Sequence, residues 1–180
     1  MSGCCITHRV AEEANAARAT CPNCGTRGRH VEPITLKALL LPEALARLEP
    51  VTYRFCPSPA CPIVYFATEG ESVYDKGDLK VRVGLKERDE PIPLCYCFGH
   101  TRATVWEEIR RTGRSTAVAS ITAHVKAGRC GCEVNNPSGA CCLGEVSKAV
   151  KEGFARYGER DPASPATASL DKQMGNGGSR

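Results

Sequence analysis

Cys21 and Cys24 bracket a Pro-Asn turn, and Cys56 and Cys61 bracket Pro-Ser-Pro-Ala. A tight turn places two thiolates on one side of a cation, and two such turns complete a tetrahedron. Zn2+ suits that donor set, because it has no geometric preference of its own and binds thiolates strongly. The prolines and Gly25 beside these cysteines stiffen the turns. A redox CxxC is the competing reading of the first pair, but it has no need of the distant second pair. Four thiolates leave no open coordination position, so a zinc on Cys21, Cys24, Cys56 and Cys61 is structural. His30 could substitute as a ligand, and a surface role is preferred for it.

A second cysteine set follows. Cys95 and Cys97 form a CxC just ahead of a helix, and Cys130, Cys132, Cys141 and Cys142 fall within GRCGCEVNNPSGACC, residues 128–142. These thiols sit on loops at helix ends, where backbone N–H groups lack helical partners. Amides so placed can hydrogen-bond to cluster sulfur and tune its potential. A four-thiolate [2Fe–2S] cluster is the best chemical match. The spacing leaves open which of the four downstream thiols join Cys95 and Cys97. His100 and His124 could tune or replace a ligand, but with enough cysteines present a surface or capping role is preferred.

The rest of the chain must position these sets. It has 180 residues, 42% apolar and only 6% aromatic, with twelve cysteines. A lean core with that many thiols suggests metal staples in place of part of the hydrophobic burial. The N-terminal stretch holds no apolar run of the signal-peptide kind, and no segment is long and apolar enough to span a bilayer. The expectation is a cytoplasmic protein, whose clustered cysteines bind metal rather than form disulfides. Net charge is +4, with both signs interleaved and no basic stripe, so nucleic acid is not the expected partner.

The charged, proline-bearing stretch KERDEPIP, residues 86–93, reads as a solvated linker between the two sets. The expected organisation is a flexible segment at 1–19, a zinc-binding unit at 20–88, a helical cluster-binding unit at 89–157 and a disordered tail at 158–180. In the first unit, Leu36–Leu48 has helical spacing, with Pro42 as a break or a new start. Val51–Phe55 and Ile63–Thr68 read as a hairpin carrying the Cys56/Cys61 turn at its tip. Val73–Tyr74 and Lys80–Val83 are further short strands. In the second unit, Thr104 and Glu107 suggest a capping box and a helix running to Gly113. A second helix runs from Ser115 or Thr116 to about Lys126, and a third from about Leu143 to Tyr157. Trp106 and the Val/Ile stripe read as helical core. The fold class is α+β, a small zinc-nucleated β-rich unit followed by a small helical one.

Three blocks carry a resemblance to a known family: CPNC with FCPSPACPIVYF, then VRVGLKERDEPIPLCYCFGHT, then CEVNNPSGACCLG. The segment 95–144 resembles the bacterioferritin-associated-ferredoxin type of [2Fe–2S] fold. More broadly, residues 20–157 resemble the N-terminal metal-binding region of the CopZ-type iron–sulfur copper chaperones. The resemblance implies zinc on Cys21, Cys24, Cys56 and Cys61, and a [2Fe–2S] cluster on Cys95, Cys97, Cys132 and Cys142. It also implies one-electron reduction of Cu2+ to Cu+, which a fused thiolate domain would carry. The MxCxxC loop of that domain does not occur in this sequence, so a separate carrier or transporter for copper or another soft metal is the expected partner. The electron donor is not indicated.

Four thiols are then left over. Thiolates select soft ions such as Cu+ or Hg2+, so Cys4, Cys5, Cys130 and Cys141 are candidate soft-metal ligands, Cys4 and Cys5 with His8 beside them. As plain thiols, Cys130 would be exposed and Cys141 a small buried apolar residue. Two alternatives to the electron-transfer reading stand: resistance to or sequestration of mercury, arsenic or copper through the spare thiols, and a zinc-only interaction module. No triad, phosphate loop or open-site zinc pattern marks an enzyme, so any activity is metal-ion reduction.

Overall fold

The computed structural model describes residues 19–158, so Cys4, Cys5, His8 and nearly all of both expected flexible ends lie outside the described residues. The architecture is α+β: a four-stranded antiparallel sheet with two short helices comes first, and a mainly helical unit follows.

β2 (Tyr53–Phe55) and β3 (Ile63–Ala67) form the expected hairpin, with Tyr53 opposite Ala67 and Phe55 opposite Tyr65. Their aromatic and β-branched residues suit a pleated surface covered on both faces. β1 (Arg29–Val31) pairs with β2 on one side and β4 (Val73–Asp75) with β3 on the other. α1 (Pro33–Leu39) and α2 (Pro42–Leu45) occupy the span with helical spacing, so Pro42 starts a new helix. Proline is tolerated in the first turn because its missing N–H has no intrahelical partner there anyway. Leu36 and Leu40 are fully buried against Tyr53, Phe55, Tyr65 and Tyr74. Each such aliphatic side chain contributes about 1.5–3 kcal/mol. The expected strand at Lys80–Val83 is absent. Leu79 makes a single bridge to Leu40, and the chain then bends into a 3-10 turn at Gly84–Lys86.

The charged stretch is solvated only in its middle, where Arg88, Asp89, Glu90 and Pro91 are exposed. Lys86 and Ile92 are buried, and the backbone passes so close that a Cβ at Gly84 would lie 1.9 Å from the Pro93 carbonyl oxygen. β5 (Pro93–Cys95) and β6 (His100–Thr101) form a small hairpin that presents the CxC loop. α3 (Arg102–Thr112) starts earlier than the capping box at Thr104 predicts. Thr101 Oγ accepts the Thr104 N–H at 3.1 Å, and Thr104 Oγ accepts the Thr101 N–H at 3.0 Å. A threonine thus does the work expected of Glu107. α4 (Ala117–Lys126), α5 (Cys132–Asn135) and α6 (Leu143–Tyr157) complete the unit. Val105, Ile109, Ala117, Ile121 and Val146 fill its core. α3 and α6 cross at Gly153, where a Cβ would meet Ile109 Cδ1 at 2.6 Å.

Candidate metal centres

The first quartet converges. Sγ atoms of Cys21 and Cys61 lie 3.7 Å apart, those of Cys24 and Cys56 lie 3.6 Å apart, and all four sulfurs are within 4.8 Å of one another. A tetrahedron with Zn–S bonds of about 2.3 Å has edges of about 3.8 Å, so the donor set fits one zinc ion. The knuckles are built locally. The Cys21 N–H bonds to Thr26 O and the Gly25 N–H to Cys21 O, while the Cys56 N–H joins the β2–β3 hairpin through Val64 O. Asn23 Nδ2 donates to Cys61 Sγ at 3.3 Å. Phe66 packs behind three of the cysteines and shields them from water.

Electrostatics separates these thiols. Burial pushes Cys56 up to about 12, despite the Ser58 amide and Lys86 pulling down, and burial also raises Cys21. Cys24 is exposed and bonded to the Thr26 hydroxyl and amide, which lower it to about 6. A cation entering this site must therefore displace protons from the buried thiols. His30 stays outside it, exposed and 3.1 Å from Glu32.

The second set has a different geometry. Cys97 and Cys132 sulfurs lie 4.0 Å apart, and the buried Cys142 thiol interacts with Cys95. These two pairs do not share the mutual single-ion spacing of the first quartet. Two thiolate pairs set apart are what a two-iron cluster requires, one pair for each iron, so the residues fit that group. Cys95, Cys132 and Cys142 are buried, and Cys97 is partly exposed. The Gly131 N–H donates to Cys97 Sγ at 3.4 Å and Asn135 Nδ2 at 3.6 Å. Burial pushes Cys132 up to about 12, against a bond from the Cys142 amide.

Both loops of this set are held by the first unit. The loop from Cys132 to Cys142 docks on α1 and β3: Thr35 Oγ donates to Glu133 O at 2.5 Å, and Tyr65 Oη to Pro137 O at 2.8 Å. Gly139 turns there at φ +63°, and a Cβ would lie 3.4 Å from Val31 and Thr35. The Asn-Pro-Ser-Gly turn is thus a docking element, and Gly131 and Asn135 are the groups that bond to Cys97. The CxC loop is anchored through Tyr96, whose hydroxyl accepts the Gly84 N–H at 2.8 Å and donates to Arg82 O at 2.9 Å. Thr35, Tyr65, Tyr96 and Lys86 carry no spacing signal in the sequence, since each acts across a tertiary contact.

The spare thiols reverse their expected surroundings. Cys130 is partly buried against the helical core, whereas Cys141 is exposed; burial raises Cys132 and Cys142, and the neighbouring Cys141 adds a smaller push. Cys141 lines a cleft of about 390 Å3 between the two units. His124 stacks on Phe98 with ring centroids 4.1 Å apart and accepts from Arg129 at 2.9 Å, while His100 lies in β6. Trp106 is partly buried and donates to Ala149 O at 2.8 Å, tying α3 to α6.

Comparison with known proteins bears on both centres. Residues 18–80 match the family zf_CopZ, described as a zinc binding domain. The chain is 37% identical over 151 residues to the copper chaperone CopZ of Archaeoglobus fulgidus, covering 84% of this chain and 70% of that protein. The X-ray structure of the Archaeoglobus fulgidus CopZ N-terminal domain superposes with a TM-score of 0.61, over 72% of this chain and 95% of that one.

Proposed function

This chain belongs to the CopZ family, and on that premise we propose that it handles copper with two metal centres. A structural Zn2+ would bind Cys21, Cys24, Cys56 and Cys61, and a [2Fe–2S] cluster would bind Cys95, Cys97, Cys132 and Cys142. The observation that supports the second centre most strongly is its two separate thiol pairs, with N–H donors at Cys97. A cluster held there supplies one electron at a time, with Cu2+ as the acceptor and Cu+ as the product.

The chain's own residues set the conditions. Burial of Cys95, Cys132 and Cys142 keeps three sulfurs from water, and the partly exposed Cys97 is the natural side for an electron to enter or leave. Gly131 and Asn135 favour negative charge on Cys97. The four-thiolate zinc has no open position and holds the sheet and knuckles on which the cluster loops dock. Cu+ would pass to a separate thiolate carrier or transporter in a reducing, cytoplasmic compartment. Among the described residues, no helix is long and apolar enough to cross a membrane.

The exposed Cys141 thiol beside two buried ones favours a second reading, capture of a soft ion at the rim of this set. The test is to mix the anaerobically reduced protein with Cu2+ and a Cu+-specific chromophoric chelator. About one Cu+ per cluster is expected, with return of the oxidised cluster's colour. A persisting Cu2+ paramagnetic signal contradicts the electron-transfer reading.

A further inference from the structure

Among the described residues, Lys86 is the only charged side chain that is buried, at 5% exposure. Its Nζ donates to Ser58 O at 2.7 Å and to Cys61 O at 3.1 Å, and it lies 5.8 Å from the Phe55 ring centroid. Neighbouring Glu87 pairs with Lys76 and Arg82 instead. A buried ammonium is costly unless an anion compensates it. Two neutral carbonyls and a ring face offset only part of that cost. Both carbonyls belong to the Cys56–Cys61 knuckle of the quartet, and one Zn2+ on four thiolates carries a net charge of about −2.

We propose that Lys86 is a positioning residue of the zinc centre. It pins the Cys56–Cys61 knuckle through two carbonyl oxygens and supplies positive charge beside four thiolates, three of them buried. The lysine sits at the end of the Gly84–Lys86 turn, and that turn is held by Tyr96 between Cys95 and Cys97. Lys86 thereby also ties the zinc knuckle to the CxC loop.

The inference rests on the four-thiolate zinc reading, and one measurement separates the two. Full-length chains carrying Lys86→Met, Lys86→Arg or no change are titrated with zinc against a chromophoric chelator. If the unaltered chain takes up no zinc, the zinc reading fails. If it binds, Lys86→Met is expected to bind at least about tenfold more weakly and Lys86→Arg to recover most of the loss, as for other residues that support a ligand shell. Lys86→Met equal to the unaltered chain overturns the proposal. Should Lys86→Met not fold, the zinc-loaded unaltered chain decides by 15N NMR. A protected, slowly exchanging Lys86 ammonium supports the proposal, and one exchanging as fast as surface lysines overturns it.

Discussion

Tyr65 Oη donates to the Pro137 carbonyl oxygen at 2.8 Å in a buried position, linking residues 72 apart in the chain. The bond runs from β3, an inner strand of the zinc-side sheet, to the loop between Cys132 and Cys142. Burial holds the hydroxyl well above its ordinary pKa, so it remains a donor. Removing it leaves a buried carbonyl without its partner, at about 1–3 kcal/mol. Tyr65→Phe is therefore expected to lower the denaturant midpoint by that equivalent with an unchanged slope. An unchanged midpoint would show that this bond does not hold the units together.

Gly84 packs against the Pro93 backbone across the boundary between the two units. A methyl group there would sit 1.9 Å from Pro93 O, a backbone atom that cannot rotate away. Gly84→Ala should cost about 1–3 kcal/mol in thermal or denaturant unfolding, the usual toll of overpacking. It should also disturb the CxC loop, because the Gly84 N–H bonds to Tyr96. Wild-type stability in this variant would contradict the close approach.

Adjacent cysteines should behave differently. Cys142 is buried and interacts with Cys95, whereas Cys141 is exposed. Cys142→Ser is expected to abolish or strongly bleach the visible absorption of the anaerobic protein, and Cys141→Ser to leave it intact. The opposite outcome would move the fourth ligand to Cys141.

Asn135 Nδ2 lies 3.6 Å from Cys97 Sγ as a donor. Donors to sulfur stabilise the more negative, reduced state of a cluster. Asn135→Ala should shift the midpoint potential downward in spectroelectrochemical titration, with little change in zinc content. A potential that does not move, or that rises, removes Asn135 from this role.

Local patterns announced much of the fold. Paired turns announced the zinc quartet, β-branched and aromatic runs the β2–β3 hairpin, and Pro42 the start of α2. Other features rest on tertiary contacts. β1 reads Arg-His-Val and has no apolar alternation, so its pairing with β2 decides it. Thr101 and Thr104 both fit a helix cap, and the hydrogen bond between them selects the earlier start. Lys86 sits in a run of charges that looks solvated, yet the fold buries it against the zinc knuckle. The Asn-Pro-Ser-Gly turn is legible as a turn, but its docking is not, because Tyr65 and Thr35 draw its loop onto the other unit.

The central claim is that one chain holds a mononuclear zinc and a two-iron cluster on separate thiol sets. Metal and acid-labile sulfide analysis of anaerobically purified protein, with paramagnetic resonance after reduction, tests it most directly. The account predicts about two iron and two sulfide per zinc and a spin-half signal on reduction. A colourless protein with about two zinc ions, no labile sulfide and no signal would contradict it.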